Sequence, residues 1–492
     1  MGKLRLLAVL LLTLGACAKK ESFVIFSTAR AQGSIQAPDD CFKKGSCGGF
    51  PALKNIYDRE DLPKLIVDLG NWSADTPAGR LTKGYDVLEM MNAFPYSAAA
   101  LGITDINLPE KDFNKLAENA QFPLIATNLY LRNGQRKPGL QQYKIIDING
   151  HKIGFFSVLL ANPEYPERQK NYSQFRIEKG SFDANLAINA MKKEGAKIIV
   201  MLLSIDPKAK SDKGYYKKFL SQAKRTNVII TDDPEVKKTF RSGKTWVIPA
   251  GKANKKVERT EIAFNRESGK ISSINSKTID IDPLKYKEDQ KLHNIAVRYQ
   301  ISEKKHFSKK IGTLHSPLPL KASGMHPMAN FSADCIKRWA RTNASLMPLS
   351  EPASPFSSTT VRLQDLYASF PKDSSIVFVK IRGENLFDSI SQLPKDSFTV
   401  SGLRLYYSAE GNKAGKLEKI ESDAGPIKPD KIYQVSVPDS MITAENTSLL
   451  ANAAEFANSK RPTREVLRWC VASKYTFTPF TERIFIKGGK GK

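Results

Sequence analysis

Histidine is missing from the first 150 residues, and the five histidines of the chain all lie at or after His151. No two of them have the His-x-x-x-His spacing that places two imidazoles on one face of a helix. Histidine is the commonest metal ligand among side chains and a frequent general base. In the first part of the chain, neither role can be filled by an imidazole.

Motifs of several enzyme classes are absent from the sequence as well. There is no Gly-x-Ser-x-Gly, no Gly-x-x-x-x-Gly-Lys-Ser/Thr, no Gly-x-Gly-x-x-Gly and no Cys-x-x-Cys-His. The first three mark serine hydrolases, phosphate-binding loops and dinucleotide-binding folds, and the fourth marks haem attachment. The sequence gives no support to any of these four classes.

Long apolar runs are scarce, and the one at residues 6–14 is too short to cross a bilayer. Lys3 and Arg5 precede it, and residues 14–17 are Leu-Gly-Ala-Cys, which resembles a bacterial lipobox. We predict that residues 1–16 are a lipoprotein signal peptide and that Cys17 becomes the lipidated first residue. The protein would then be anchored in the cell envelope, on the periplasmic or extracellular face. An ordinary secretory signal with an incidental cysteine is the alternative.

Acidic residues are fewer than basic ones, 50 against 76, which gives a net charge of +26. Such a balance favours anionic envelope partners such as phospholipid head groups or lipopolysaccharide, and the alternative is simply a basic solvated surface. The basic segments are scattered and form no platform with aromatic residues, so specific nucleic-acid binding is not expected.

Residues 17–282 alternate short apolar runs with helical stretches, which predicts an α/β domain over a mixed sheet. Residues 64–69 and 197–203 are predicted buried strands. Asn149-Gly150 favours a tight hairpin turn between strands at 143–148 and 152–158.

A helix is predicted from the capping residue Ser181 to about Glu194, where Gly195 ends it. On such a helix Phe182, Leu186 and Ala190 share one face.

A polar, lysine-rich stretch at residues 283–310 is the predicted linker, with a helix over 283–299. A second domain is predicted at 311–488, with a helix at 329–340 and strands at 377–381 and 431–437. The tail, residues 489–492, is predicted to be disordered.

Four cysteines follow Cys17, and export favours disulfides. Three pairings are possible. We favour Cys41–Cys47 with Cys335–Cys470, because each bond then stays within one predicted domain.

The order of several motifs along the chain resembles the secreted 5′-nucleotidase and UDP-sugar hydrolase family. The similar stretches of the first domain are Gly48 to Leu53, Asp68-Leu69-Gly70-Asn71, Gly84-Tyr85-Asp86, Ala98 to Gly102 and Phe122 to Asn128. Those of the second domain are Arg362 to Leu366 with Phe370-Pro371, Val379 to Leu386, Val400 to Leu403 and Lys428 to Tyr433. The resemblance implies a metallophosphatase-type αββα sandwich followed by a smaller α/β 5′-nucleotidase C-terminal domain. It also implies hydrolysis of nucleotides or related phosphate esters by a divalent metal pair.

The metal-binding positions of that family depart from its pattern. Arg30-Ala31-Gln32-Gly33 stands for Asp-x-His-Gly, and Asn71 stands for the bridging Asp. Ile103 and Thr104 replace the Asn and the catalytic His, and Ile205 replaces the His of Leu-Ser-His. Asp232-Asp233-Pro234-Glu235 stands for Gly-His-x-His. A cation and neutral groups therefore stand where ligands of two divalent ions are needed.

Three carboxylates are the weak candidates for a surviving metal site: Asp105, Asp233 and Glu235. Carboxylate oxygens suit a hard ion such as Ca²⁺ or Mg²⁺. The alternative is a solvated acidic turn before a helix, where carboxylates are also favoured.

The nucleotide-binding segments of the second domain differ from the family too. Residues 347–356 contain neither glycine nor arginine to hold phosphate, and residues 441–447 lack the aromatic ring that would stack on a base. Phe370 is a weak candidate for one remaining stacking position, and packing in the core is its alternative role.

These observations lead to a first hypothesis of a degenerate family member that binds or scaffolds at the envelope and holds no cofactor. Its ligand could be a nucleotide, another anion or a protein. The second hypothesis is an active phosphoric ester hydrolase of nucleotide catabolism, with a divalent metal in a rebuilt site. A purely electrostatic envelope protein is the third.

Overall fold

The computed structural model of the protein describes residues 20–36, 48–73, 77–160, 174–178, 180–206, 225–252, 254–372, 374–410, 413–442, 452–473 and 475–486. The chain forms two compact units that divide between Gln300 and Ile301. The residues of the predicted signal peptide with Cys17, of the predicted Cys41–Cys47 pair and of the C-terminal tail lie outside the described residues. Among the described helices, none combines the length and the apolarity that a membrane crossing requires.

Two mixed sheets, a two-stranded antiparallel sheet and seven described helices make up the first unit. Its strands are β1 (Lys20–Ala29), β2 (Lys64–Asp68), β3 (Ala98–Ala100), β4 (Leu124–Ile125), β5 (Leu129–Leu131), β6 (Tyr143–Ile148), β7 (His151–Leu160), β8 (Phe175–Ile177), β9 (Ile198–Ile205), β10 (Val228–Thr231), β11 (Phe240–Ser242), β12 (Thr245–Pro249), β13 (Gly251–Lys252), β14 (Lys256–Asn265) and β15 (Ile271–Asp280). Its helices are α1 (Phe50–Asp58), α2 (Pro77–Thr82), α3 (Tyr85–Asn92), α4 (Ile103–Ile106), α5 (Glu110–Asn119), α6 (Ser181–Lys193) and α7 (Gln290–Phe307).

The sheets have the strand orders β15-β14-β1-β2-β3-β4, with β13 also beside β1, and β11-β12-β10-β9-β7-β6. A core lies between them, to which Ile25 of β1 and Val200 of β9 contribute. Leu53 of α1 and Leu292 of α7 belong to a core on the outer face of the first sheet, and Ile188 of α6 to one on the outer face of the second. The predicted αββα sandwich is confirmed.

The predicted hairpin at Asn149-Gly150 is confirmed. Both residues have positive φ, 52° and 81°, and Ile148 of β6 pairs with His151 of β7. Strand β7 starts one residue earlier and ends two residues later than predicted.

Helix α6 differs from its prediction in its cap and in the side that it buries. Gly180 in the left-handed conformation precedes it, and Ser181 is its first residue rather than its cap. Phe182 and Leu186 share a face, but that face is turned to solvent, with exposures of 72% and 49%. The buried side is formed by Ala184, Ala187, Ile188 and Met191, whose spacing of three and four residues makes one continuous stripe.

The helix predicted at 283–299 lies instead at Gln290–Phe307. Its start is set by Asp289, whose side chain accepts a hydrogen bond from the Leu292 amide at 3.0 Å, as an N-terminal capping residue does. The division between the units falls within this helix.

The second unit contains two larger sheets and four described α-helices. Its strands are β16 (Lys310–Thr313), β17 (Ala344–Pro348), β18 (Thr360–Arg362), β19 (Ser375–Arg382), β20 (Phe398–Ser401), β21 (Leu403–Glu410), β22 (Lys413–Ser422), β23 (Gly425–Pro426), β24 (Ile432–Pro438), β25 (Ala453–Pro462) and β26 (Ile484–Ile486). Its helices are α8 (Pro327–Ala340), α9 (Leu363–Ser369), α10 (Gly383–Ser391) and α11 (Thr463–Ala472). The larger sheets have the orders β20-β17-β24-β19-β25 and β23-β22-β21-β26.

A disulfide joins Cys335 of α8 to Cys470 of α11, with a Cα–Cα distance of 5.7 Å. This is the pairing that the sequence favoured for these two residues.

Candidate functional site

The carboxyl ends of β1 and β2 in the first sheet and of β9 and β10 in the second carry the candidate site. Each of these two pairs of strands is parallel, and ligands of α/β folds bind outside the carboxyl ends of parallel strands. Arg30 follows β1, Asn71 lies three residues after β2, and Asp232 follows β10. Hydrogen bonds bring these three side chains together across the two sheets.

The loop after β1 is bonded along its length to the loop after β2. The amides of Arg30, Gln32 and Gly33 donate to the carbonyls of Gly70, Asn71 and Trp72 at 2.9, 3.1 and 2.8 Å. Arg30 and Asn71 both adopt left-handed backbone conformations, with φ of 56° and 62°. Such conformations cost a non-glycine residue about 1 kcal/mol or more, and the paired loops hold them in place.

Arg30 forms an ion pair with Asp232. Its Nε donates to Asp232 Oδ2 at 2.7 Å, and its second terminal nitrogen donates to the Ile205 carbonyl at 3.1 Å. The Ile205 amide in turn donates to Asp232 Oδ1 at 2.8 Å. The Asp232 side chain is fully buried, and burial raises its pKa while the Arg30 charge opposes that rise.

Asn71 uses both ends of its amide. Its Nδ2 lies 3.4 Å from Asp232 Oδ2 and 3.5 Å from the Ser204 hydroxyl. Its Oδ1 accepts from the Thr104 amide at 3.1 Å and from the Thr104 hydroxyl at 3.3 Å. A Cβ on Gly102 would lie 2.2 Å from Asn71 Cγ, so the glycine makes room for this side chain.

Asp105 is buried beneath the loop that contains Asn71. Its Oδ2 accepts from the amides of Asn71 and Gly102 at 2.6 and 2.9 Å, and its Oδ1 from those of Trp72 and Ser73 at 2.8 and 3.2 Å. Burial raises the pKa of Asp105, and these four bonds oppose the rise. The carboxylate therefore organises the loop backbone and does not face the edge as a ligand.

Asp68 has a similar structural role. It accepts hydrogen bonds of 2.6 Å from the Thr28 hydroxyl, the Gly70 amide and the Trp72 indole. Burial raises its pKa to about 7 against these hydrogen bonds. Of these three partners only the Gly70 amide belongs to the backbone, and the Thr28 and Trp72 side chains supply the other two bonds.

The acidic residue that is hydrogen-bonded to Arg30 and Asn71 is Asp232, rather than Asp233 or Glu235. Asp233 is buried and accepts a bond of 2.9 Å from the Glu235 amide, while the Glu235 side chain is exposed. In the described residues no three His, Cys, Asp or Glu are grouped so that they could hold a metal ion. The three weak candidates Asp105, Asp233 and Glu235 are therefore not brought together.

Asp232 is the residue that the sequence analysis missed. It stands where the family has a glycine, so no ligand pattern marks it. Its position directly after the buried strand β10 is the signal that could have found it.

Lys252 is a second cation close to this edge. It lies on β13 beside β1, and its Nζ donates to the Asp233 carbonyl at 3.2 Å. Burial lowers its pKa, and the charge of Arg30 lowers it further. Two fixed cations and a neutral amide do not suit a pair of divalent ions, which need converging oxygen and nitrogen ligands. The residues present do not fit the metal centre that the fold implies.

In the second unit, Phe370 is 1% exposed. A ring packed in this way is not presented to a nucleotide, so the alternative role in the core is the one observed. Glu351 is also buried and accepts from the hydroxyls of Ser374 and Ser440 at 2.5 and 2.6 Å. Residues 443–447 lie outside the described residues.

A cavity of about 460 Å³ opens in the second unit near the disulfide. Phe331, Tyr475, Phe477 and Phe480 contribute aromatic walls, and His315 and several hydroxyls lie among them. None of the residues described as lining it is Lys, Arg, Asp or Glu.

Comparison with solved structures defines the class of this fold. A 5′-nucleotidase precursor from Thermus thermophilus aligns with a TM-score of 0.58 at 15% identity, over 95% of this chain and 100% of its own. The NAD nucleotidase of Haemophilus influenzae aligns with the same TM-score at 13% identity, over 95% and 100% of the two chains. The chain has the two-domain 5′-nucleotidase fold, with a metallophosphatase-type first domain.

The sequence carries the same relationship. Residues 310–447 match the family described as 5′-nucleotidase, C-terminal domain. The uncharacterized metallophosphoesterase YunD of Bacillus subtilis (strain 168) is 22% identical over 412 residues, which are 76% of this chain and 83% of YunD. Residues 310–447 are therefore a 5′-nucleotidase C-terminal domain, and this match, YunD and the solved structures bear out the resemblance to the 5′-nucleotidase family. That family points to a nucleotidase or metallophosphoesterase type of function.

Proposed function

We propose that this protein is an envelope lipoprotein of the 5′-nucleotidase family that binds or scaffolds and does not hydrolyse phosphate esters. The observation that carries the proposal is the ion pair between Arg30 and Asp232 at the edge where metal ligands are expected. A guanidinium held in that place by two hydrogen bonds repels the divalent ions on which the family chemistry depends.

The neighbouring substitutions support the same conclusion. Transition-state charge in a two-metal site is neutralised by the metal ions and by nearby imidazoles. Here Thr104 stands at the position of the catalytic histidine, and its hydroxyl is bonded to Asn71. Ile205 stands at another histidine position and offers no ligand atom in its side chain.

A binding role has a candidate location in the second unit. The cavity of about 460 Å³ has the volume of known small-molecule sites. Among the described residues its lining is aromatic and uncharged, which favours an uncharged ring compound over a phosphorylated nucleotide, because a buried phosphate needs a counter-charge.

The alternative is an active hydrolase of nucleotides or related phosphate esters, which the names of its relatives favour. It requires a divalent metal and a site rebuilt from residues such as Asp105, Asp233 and Glu235. The four amides bonded to Asp105 weigh against that rebuilding.

Phosphate release from AMP and from a UDP-sugar, with Mn²⁺, Zn²⁺ or Mg²⁺ added, tests the proposal. We expect no release above buffer from the purified mature chain, while an active 5′-nucleotidase serves as the positive control in the same assay. Metal-dependent turnover by the purified mature chain would decide for the alternative.

A further inference from the structure

The buried carboxylate of Asp232 is the starting point, and the inference rests on the proposed loss of the catalytic metals. Its side chain is fully buried, and its oxygens are contacted by Arg30, Asn71 and the Ile205 amide. A buried carboxylate needs a cation or several donors to stay ionised. Arg30 is the one charged group in direct hydrogen-bond contact with Asp232 among the described residues.

The geometry around Asp232 also suits a divalent ion. Asp232 Oδ2 lies 3.4 Å from Asn71 Nδ2. Two oxygens that each lie about 2.1 Å from one cation can be at most about 4.2 Å apart. A carboxylate at position 71 would therefore place one oxygen at a distance from Asp232 that fits neighbouring ligands of a single ion.

Arg30 and Asn71 together leave the negative charge of Asp232 balanced. The guanidinium supplies one positive charge to Asp232, and the amide adds no negative charge and donates toward the same oxygen. A carboxylate at 71 beside Asp232 would leave one negative charge uncompensated, and the loss of Arg30 would leave another.

We propose that Arg30 is a built-in counter-ion that replaces a divalent cation, and that Arg30 and Asn71 together keep this edge metal-free. The site is latent: Arg30→Ala with Asn71→Asp should convert it into a site for one hard divalent ion between positions 71 and 232. Mn²⁺ is the suitable probe, because carboxylate oxygens favour Mg²⁺, Ca²⁺ and Mn²⁺.

Lys252 is the other described cation that could neutralise the carboxylates at positions 71 and 232 of the double variant. Its Nζ donates a hydrogen bond to the Asp233 carbonyl. The negative charges of Asp232 and Asp233 raise its pKa, against the effect of burial. Adding Lys252→Met to the double variant should therefore tighten Mn²⁺ binding.

The experiment compares the full mature chain, each single variant and the double variant by thermal melting and by equilibrium dialysis with Mn²⁺. The wild type should take up no Mn²⁺, and its midpoint should change by less than about 1 °C with Mn²⁺ or chelator. The double variant should bind about one ion per chain, and saturating Mn²⁺ should raise its midpoint by about 5 °C or more.

The ion pair of Arg483 with Asp334, at 2.8 Å in the second unit and similarly buried, provides the control. Arg483→Ala should lower the midpoint without any Mn²⁺ rescue. If the double variant does not fold, Arg30→Ala alone should melt below the wild type and be restored in part by Mn²⁺.

A double variant that folds and binds no Mn²⁺ would overturn this inference alone. Where the double variant does not fold, an Arg30→Ala midpoint that Mn²⁺ leaves unchanged would do the same. Stoichiometric metal in the wild type would overturn it together with the proposed function, so the two failures are distinguishable.

Discussion

At the scale of single residues, the buried carboxylates of the site differ in what their oxygens accept. Asp68 and Asp105 accept from loop amides, a hydroxyl and an indole, and so they shape the backbone. Asp232 accepts from Arg30. The sequence could predict that positions 30, 71 and 104 lack ligands, because motif order aligns them with the family. It could not predict the partner of Arg30, because the contact spans 202 positions.

Glu258 gives a test of buried charge away from the site. It is 3% exposed and accepts from the hydroxyls of Ser276 and Thr278 at 2.6 and 2.5 Å. Burial raises its pKa against these two bonds. Because the folded pKa lies above the unfolded one, the stability that the protonated acid contributes is lost as pH rises through the folded pKa.

Glu258→Gln should therefore stabilise the first unit at pH 7 by about 1 kcal/mol and have little effect near about pH 3, below the unfolded pKa, where the acid is protonated in both states. One of the two hydroxyls can reverse to accept from the new amide nitrogen, while the other continues to donate to the amide oxygen. Denaturant unfolding at the two pH values measures this difference, with the exposed Glu267→Gln as control. A variant equally destabilised at both values would show that the carboxylate itself is needed.

At the scale of elements, features that adjacent residues determine were predictable from the sequence. Features that depend on contacts with distant parts of the chain were not. The hairpin at Asn149-Gly150 was predictable because two adjacent residues determine the turn. The predicted start of α7 lies too early in the chain, because the Asp289 side chain caps the helix and its first residue is Gln290. The buried face of α6 depends on which side the second sheet covers, and the spacing of Phe182 and Leu186 does not contain that information.

The two faces of α6 should respond differently to truncation. Ile188 is fully buried, so Ile188→Ala should cost about 3 kcal/mol of unfolding free energy through lost packing and a cavity. Leu186 is 49% exposed, so Leu186→Ala should stay within about 0.5 kcal/mol of the wild type. Chemical denaturation of both variants tests the assignment, and equal losses would contradict it.

The disulfide between α8 and α11 should stabilise the second unit. It links residues 135 positions apart, and breaking such a bond costs between about 2 and 5 kcal/mol. Calorimetry of the double variant Cys335→Ala with Cys470→Ala should show one transition lowered. The variant is a cleaner probe than reductant, which would also act on the predicted Cys41–Cys47 bond. An unchanged profile would mean that the bond adds no stability.

At the scale of the whole molecule, the αββα sandwich and its C-terminal partner domain were predictable because motif order is a property of the entire chain. Activity was not, because it depends on a few side chains that can change while the framework remains. The anionic envelope partners that the net charge of +26 suggests and the lipid anchor at Cys17 both stay predictions. The anchor can be tested directly.

Lipidation is predicted at Cys17. In a bacterial host the wild type should incorporate labelled palmitate and remain with the membrane fraction, and Cys17→Ser should do neither. Cys41→Ser is the matched control and should keep the label. Persistent labelling of the Cys17→Ser chain, or a wild type without label, would contradict the prediction.

The four amides gathered by Asp105 mean that this loop closes on a side chain of the protein itself. The shape of this loop therefore does not depend on a bound metal ion. Surveys that recognise relatives by their metal-binding histidines would pass over chains of this kind, whereas surveys that follow the carboxylate three residues after Gly102 would retain them.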